Sequence, residues 1–235
     1  MNCFSAAGKH HNYRNEHNQD AMSYKQNNHY STMVLADGVS ACAHAGEGAE
    51  IACEVISDFL LTHSERLFSM DTQETAGALI SQVTYHLQKT ADAQQHSIED
   101  YSSTLACVLY DSRKNRMLYF SLGDSLITAT KNDQCYIVAN PADSRNGCCV
   151  TTSWDAATNA KIGIVDAEDL SSVMICSDGA WHLMYKRNRM EQSVRSSIVS
   201  REYDRLKEIL LRKERLDDCS FITMDLREPH TEDIQ

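Results

Sequence analysis

Apolar and polar positions along the chain follow two different periods, one typical of strands and one typical of helices. Short apolar runs predict strands at residues 21–25 and 29–36, joined by a tight hairpin turn at 26–28. Apolar residues then recur about every 3.6 positions, which predicts a helix that opens near residue 45 and a second that begins near Asp71, its N-cap. Each helix has one apolar face, so the pair is expected to cover one face of a sheet.

The second half of the chain is dominated by predicted strands. Closely spaced apolar runs with polar turns predict an antiparallel meander through residues 104–138, followed by a surface excursion at 139–160. Later elements are strands at 161–165 and 173–176, a helical region at 180–215 and a closing strand at 220–224. Strands and helices do not alternate strictly. The pattern therefore predicts an α+β fold, a layered sandwich of antiparallel sheets with helices outside.

Composition narrows the class of protein. The chain has 235 residues with only 2 prolines and no linker, repeat or low-complexity tract, so we expect residues 1–235 to form a single domain. The formal net charge of -11 disfavours binding to nucleic acid or to an anionic membrane surface. With no signal-peptide core and no apolar run of membrane-spanning length, we expect a soluble, cytoplasmic protein that acts as a monomer.

Cysteine and histidine usage gives no sign of a zinc site. The 9 cysteines are an odd number without a Cys-x-x-Cys pair, which is typical of reduced core thiols in a cytosolic protein. Cys148 and Cys149 are adjacent, and the alternatives there are redox sensing or accidental adjacency in a loop. The spacing of His10, His11 and His17 matches no zinc template.

Aspartates recur at the ends of predicted strands. Asp37 and Asp178 each follow an apolar run and precede a glycine, and Asp124 lies in a Gly-Asp-Ser turn. Asp20 and Asp218 lie beside other strand edges, and strand ends converge in a sandwich. Uncompensated carboxylates would repel by roughly 1 kcal/mol per close pair even in a water-like dielectric. Mg²⁺ and Mn²⁺ prefer oxygen ligands, and two such ions could generate hydroxide and clamp a phosphoryl group.

Six short motifs, in order, resemble those of the metal-dependent protein phosphatase 2C family. They are Asn18-Gln19-Asp20-Ala21, Ala36-Asp37-Gly38-Val39, Ser103-Thr104-Leu105, Leu122-Gly123-Asp124-Ser125, Cys176-Ser177-Asp178-Gly179-Ala180-Trp181 and Asp217-Asp218-Cys219-Ser220. The resemblance implies a four-layer α-β-β-α sandwich of two antiparallel sheets flanked by helices. It also implies hydrolysis of phosphoserine and phosphothreonine in proteins by a hydroxide that bridges two Mg or Mn ions, with a Ser/Thr kinase as a candidate partner.

The same resemblance implies roles for individual residues. Asp37 would bridge the two ions, and the Gly38 carbonyl would hold one of them. Asp178 and Asp218 would hold the other. Asp20 would act through metal-bound water, and Asp124 would help to form a third, weaker metal site.

The chain also departs from the family pattern. Val39 stands where many eukaryotic members have a histidine thought to protonate the leaving group, so that role passes to a metal-bound water or is unassigned. Gln19 stands where other members often have a glutamate. The phosphate-holding arginine has no ungapped match: Arg14 is nearest, with Lys9 and His11 as rivals.

Alternatives to a phosphatase of this kind remain open at the level of sequence. A catalytically silent pseudophosphatase that binds a phosphoprotein or kinase would normally have lost a metal aspartate, and all the aligned ones are present. A receiver-like domain would need alternating strands and helices and about half this length. A regulator phosphatase that acts on an anti-sigma antagonist would share the catalytic motifs. The short segment 139–170 lacks a longer flap insertion and resembles compact bacterial members.

Overall fold

The computed structural model describes residues 1–9, 17–142, 148–187 and 189–226. The strands in these residues are β1 (Asn2–Ala6), β2 (Asp20–Gln26), β3 (Tyr30–Asp37), β4 (Leu105–Asp111), β5 (Arg116–Leu122), β6 (Leu126–Lys131), β7 (Gln134–Ala139), β8 (Lys161–Asp166), β9 (Ser172–Cys176), β10 (Tyr185–Lys186), β11 (Arg189–Met190) and β12 (Cys219–Asp225). The α-helices are α1 (Ala45–Thr62), α2 (Ser64–Leu67), α3 (Thr72–Gln94), α4 (Ala156–Asn159), α5 (Asp178–Met184), α6 (Gln192–Val199) and α7 (Tyr203–Leu211).

Two five-stranded sheets form the centre of the fold. The first sheet has the order β2-β3-β4-β5-β8 and the second has the order β1-β12-β9-β6-β7. Every neighbouring pair in both sheets is antiparallel. A separate two-stranded hairpin, β10-β11, follows α5. No helix in the described part of the chain combines the length and apolarity needed to cross a bilayer.

Three apolar layers hold the sheets and helices together. Strand β3 is buried on both faces: Val34 packs toward α1 and α3, whereas Met33 and Leu35 pack between the two sheets. Strand β12 does the same for the second sheet, with Ile222 between the sheets and Phe221 against α5, α6 and α7. This arrangement confirms both the predicted α+β fold and the four-layer α-β-β-α sandwich.

Two local signals in the sequence act as predicted. In the β2–β3 hairpin, the Asn27 side chain accepts the backbone N–H groups of His29 at 3.0 Å and Tyr30 at 2.9 Å. At the start of α3, the Asp71 carboxylate accepts the N–H of Gln73 at 2.8 Å, which satisfies one of the helix's unpaired donors.

The predicted meander is wrong, because β5 and β6 lie in different sheets. The chain crosses between the sheets at Gly123, whose φ of +102° suits glycine alone. A Cβ atom there would lie 2.7 Å from Cγ2 of Thr104. Apolar spacing predicts strands, but it does not indicate which sheet each strand joins.

Two further features differ from the sequence-based expectation. Strand β1, which the apolar spacing does not predict, is an edge strand that pairs with β12. The helical region 180–215 is three helices: the β10-β11 hairpin, where Arg187 takes a φ of +51°, separates α5 from α6, and a turn where Arg201 takes a φ of +57° separates α6 from α7. Both features depend on pairing between distant or very short segments, which leave little periodic signal.

Candidate active site

Asp20 and Asp37 lie at one end of the first sheet. They are directly opposite each other in the antiparallel pairing of β2 with β3. Ser177, the N-cap of α5, donates its hydroxyl to Oδ2 of Asp20 at 3.0 Å. The other oxygen of Asp20 is buried and has no hydrogen-bond partner within the described residues. The β2–β3 strand ends are thus joined to the β9–α5 turn of the second sheet.

Asp178 enters the same site as the first residue of α5. Hydrogen bonding by the Gly179 backbone and by the Asp37 side chain lowers its pKa, against the larger effect of burial. Oδ1 of Asp178 is buried without a partner in the described part of the chain. Three carboxyls, from β2, β3 and α5, therefore meet where the two sheets face each other.

Burial dominates the electrostatics of these groups. It raises the pKa of Asp20 to about 7, with the charges of Asp218 and Asp178 adding to the effect. Burial, followed by the charges of Asp20 and Asp178, raises the pKa of Asp37 well above its usual value. Burial, followed by Asp124 and Asp217, raises the pKa of Asp178 to about 6. Among the described residues, none of the groups that shift these three pKa values is a cationic side chain.

Asp124 lies on the turn where the chain crosses between the sheets. Its backbone carbonyl accepts Nε1–H of Trp181 at 2.8 Å, which fastens the turn to α5. Burial raises the pKa of its carboxyl, and the charge of His182 opposes that rise. Asp124 thus borders the cluster and is less enclosed than Asp37.

Asp217 and Asp218 face different surroundings. Asp218, only 2% exposed, accepts the backbone N–H groups of Gly8 at 2.8 Å and Gln19 at 2.6 Å, one on each oxygen. The charge of Asp217 instead raises the pKa values of Asp37 and Asp178. Asp217 is the functional candidate that sequence reasoning missed. The signal was present, since Asp217 and Asp218 are adjacent in the last of the six motifs.

Gly38 directly follows β3, in the segment that leads to α1. Its N–H donates to the Gln19 carbonyl at 3.2 Å, and the residue forms an isolated antiparallel bridge with Ser103. A Cβ atom at this position would lie 2.8 Å from the carbonyl carbon of Ala45. Glycine is required here by close backbone approach at the start of α1.

Of the three candidates for the phosphate anchor, Lys9 is the one that lies in the described residues. Arg14 and His11 lie outside those residues, as does His10. Lys9 forms an ion pair with Glu214 at 2.6 Å, with about half of its side chain exposed (48%). The anchor stays a prediction.

All nine cysteines lie in the described residues and are free thiols. Burial raises the pKa of Cys148 to about 12, and the nearby charges of Asp124 and Asp178 add to this. Burial, followed by Asp155, also raises the pKa of Cys149. A raised pKa keeps a thiol protonated and unreactive. The raised pKa values therefore favour accidental adjacency of these two cysteines over redox sensing.

Among the described residues, no three Asp, Glu, His or Cys side chains already form a group able to hold an ion. The chemistry of the donors nevertheless fits hard divalent cations. Buried oxygens of Gln19, Asp20 and Asp178 lack partners in the described chain, and every candidate donor is an oxygen, the atom type that Mg²⁺ and Mn²⁺ prefer. A cation would also relieve the repulsion that raises the carboxyl pKa values.

Comparison with solved structures identifies the same fold in phosphatases. A bacterial serine phosphatase is 14% identical with a TM-score of 0.70, and 98% of each chain is covered. Serine/threonine phosphatase Stp1 from Staphylococcus aureus is 14% identical with a TM-score of 0.70, covering 97% of this chain and 94% of Stp1. RsbX in complex with magnesium is 13% identical with a TM-score of 0.59, covering 94% and 92%. At these identities the likeness concerns the fold.

The family of this chain is assigned from its sequence. No curated protein matches the chain significantly. The sequence profile of protein phosphatase 2C, however, matches residues 7–213, which include the aspartates at the ends of β2 and β3 and at the start of α5. On this match and the shared fold, the chain belongs to the protein phosphatase 2C family.

Proposed function

We propose that the protein is a serine/threonine protein phosphatase that hydrolyses phosphoserine and phosphothreonine in proteins and depends on Mg²⁺ or Mn²⁺. The observation that carries the proposal is the meeting of Asp20, Asp37 and Asp178 between the two sheets. Their pKa values are raised mainly by burial, and two of them have a buried oxygen without a partner in the described residues. Such a site suits cations that in turn bind a phosphate.

The proposed ligands follow from where the donors lie. We assign two ions to Asp37, the Gly38 carbonyl and Asp178, with Asp20 acting beside them and Asp124 at a third, weaker position. For the remaining metal ligand, which the family resemblance assigns to Asp218, we favour Asp217. Asp218 already accepts two backbone N–H groups. Bound divalent ions would acidify a water molecule for attack and offset the charge of the phosphate.

The surrounding residues of this chain hold the donors in place. Ser177 orients Asp20 through its hydroxyl, and Ser220 orients Ser177 by donating its backbone N–H to the same hydroxyl at 3.0 Å. Trp181 fixes the Asp124 turn. Arg14 is proposed as the side chain that binds the phosphate, with Lys9 and His11 as rivals. We also propose that the enzyme acts as a monomer in the cytoplasm and opposes a Ser/Thr kinase.

The proposal is tested with metal-stripped protein. Hydrolysis of p-nitrophenyl phosphate and of a phosphothreonine peptide is measured after adding back Mn²⁺ or Mg²⁺, with Asp37→Ala as the control. We expect turnover that appears with metal and is lost in a folded Asp37→Ala protein. Turnover retained in that variant would contradict the two-ion assignment. A folded protein that binds metal but hydrolyses neither compound would instead favour the pseudophosphatase.

A further inference from the structure

Trp154 leaves almost its whole side chain in water. It is 96% exposed, more than any other large apolar side chain in the described part of the chain; the next, Tyr85, is 63% exposed. An indole has a large apolar surface whose burial is favourable. Tryptophan is also among the residues that contribute most to binding at protein interfaces. This exposed indole therefore needs an explanation from its position.

Trp154 is held out by an ordered turn. Ser153 donates its N–H to the carbonyl of Val150 at 2.9 Å and accepts the Val150 N–H on its hydroxyl at 3.0 Å. Helix α4 begins immediately afterwards, and its first residue, Ala156, is buried. With both sides of the turn fixed, the indole is presented with little loss of conformational entropy when a partner binds.

The turn is linked to the segment that pairs with the end of β3, the strand of Asp37. Thr151 donates its N–H to the Ser103 carbonyl at 2.9 Å, and the Thr152 and Ser102 hydroxyls are 2.7 Å apart. Ser103 forms the bridge with Gly38, the residue after Asp37. Contacts with Ser102 and Ser103 thus connect the turn to the end of β3.

Negative charge lies close to this turn. Asp155 follows Trp154 directly, and Ser102, which contacts Thr152, donates its hydroxyl to the backbone carbonyl of Glu99 at 2.7 Å. The whole chain has a net charge of -11. An exposed indole next to an aspartate in an acidic protein favours a cation, because a guanidinium or ammonium group can lie over the ring while the carboxylate offsets its charge.

We propose that Trp154 docks the segment of a phosphoprotein substrate that carries an arginine or lysine close to its phosphoserine or phosphothreonine. The inference rests on the proposed phosphatase function and adds a preference for basic substrate segments. In it, the phosphate lies at the carboxylate site and the basic side chain of the substrate lies over the indole.

The test compares two substrates in each variant. One is a phosphothreonine peptide with two arginines on its N-terminal side, and the other is p-nitrophenyl phosphate, which is too small to reach the turn. We expect Trp154→Ala to lower the ratio of kcat/KM on the peptide to that on p-nitrophenyl phosphate by about tenfold, mainly through KM. Trp154→Phe should recover part of the loss. Tyr85→Ala, which removes an exposed aromatic from α3, is the matched control and should keep the ratio.

Two further measurements separate the inference from the proposed function. A peptide with glutamates in place of the arginines should show no dependence on Trp154. Tryptophan emission recorded in the first milliseconds after mixing should shift on binding the arginine peptide in wild type, and this shift should be absent in Trp154→Phe.

If neither compound is hydrolysed, the phosphatase proposal fails and the emission shift alone decides whether Trp154 binds basic segments. If both are hydrolysed and the ratio is the same in wild type and Trp154→Ala, the docking role is overturned.

Discussion

Asp20 and Asp37 stand directly opposite each other on β2 and β3, so two buried carboxyls share one end of the ladder. Like charges in opposite positions destabilise a sheet, and burial makes the repulsion larger. In the absence of a cation these two carboxyls bind protons more readily, because their pKa values are raised. The same arrangement that favours metal binding therefore weakens the metal-free fold.

Asp37→Asn should separate stability from activity. Removing one carboxyl from the cluster should raise the free energy of unfolding of metal-free protein at pH 7.5 by on the order of 1–2 kcal/mol. Phosphatase turnover with Mn²⁺ should be lost, because the amide cannot replace the shared carboxylate. Urea denaturation with and without metal, alongside turnover of p-nitrophenyl phosphate, checks both halves. A variant that is both less stable without metal and still active would contradict the assignment of Asp37.

The metal-free protein should become less stable as the pH rises from about 4 to about 7. Asp178 has a folded pKa of about 6 against an ordinary value of 3.8, so between those values the native state binds more protons than the unfolded state. The free energy of unfolding then decreases with rising pH, and the loss is nearly complete at about pH 7. The contribution of this one group is about 2–3 kcal/mol.

The measurement for this pH dependence is the difference between wild type and Asp178→Asn, because groups common to both cancel. Urea unfolding at four pH values between 4.5 and 7.5 gives the slope for each protein. The slope attributed to Asp178 should vanish in the variant. Saturating Mg²⁺ should also reduce it in wild type, since ion binding favours the charged carboxylates. Identical slopes in the two metal-free proteins would exclude this explanation.

Asp217 and Asp218 should respond differently to the same substitution. Asp218→Asn leaves one carbonyl oxygen for the N–H groups of Gly8 and Gln19, so a buried donor loses its partner at a cost of about 1–3 kcal/mol. Asp217→Asn should instead weaken Mg²⁺ binding and leave stability at or above that of wild type. Thermal melts and calorimetric Mg²⁺ titrations of the two variants check this pair. Loss of metal binding in Asp218→Asn at unchanged stability would return the ligand role to Asp218.

A pair of glycine variants tests the crossing between the sheets. Gly123→Ala should destabilise the protein by about 1–3 kcal/mol, because the residue has a φ of +102° and a Cβ atom would contact Thr104. Gly77→Ala in α3 meets nothing within 4 Å and should stabilise the helix by about 0.5–1 kcal/mol. Chemical denaturation of both variants gives the two values. A neutral Gly123→Ala would mean that the crossing tolerates a side chain.

Much of the site was visible in the sequence for a physical reason. Strands buried on both faces give continuous apolar runs, and an aspartate directly after such a run must lie at a sheet edge. The sequence alone therefore predicts that Asp37 and Asp178 lie at strand ends, and in the structure the two carboxyls interact. The motif order added the family, which the sequence profile confirms.

The remainder depended on pairing that has no local signature. Nothing in the apolar spacing around Gly123 tells whether the next strand stays in the same sheet or leaves it. Strand β1 has only five residues with alternate burial, so its pairing with β12 is decided by a segment more than two hundred positions away. The different surroundings of Asp217 and Asp218 likewise depend on distant residues, because Asp218 accepts the N–H groups of Gly8 and Gln19.

The pairing of β1 with β12 also bears on how the protein is made. Residues 2–6 are synthesised long before their hydrogen-bonding partner, the strand at residues 219–225. The first sheet can assemble from the early part of the chain, whereas the second waits for nearly the last described residue. Since Asp218 accepts the N–H groups of Gly8 and Gln19, these two contacts also form only then. A nascent chain therefore cannot complete the second sheet, or fix Gly8 and Gln19 in place, until residues 218–225 have emerged.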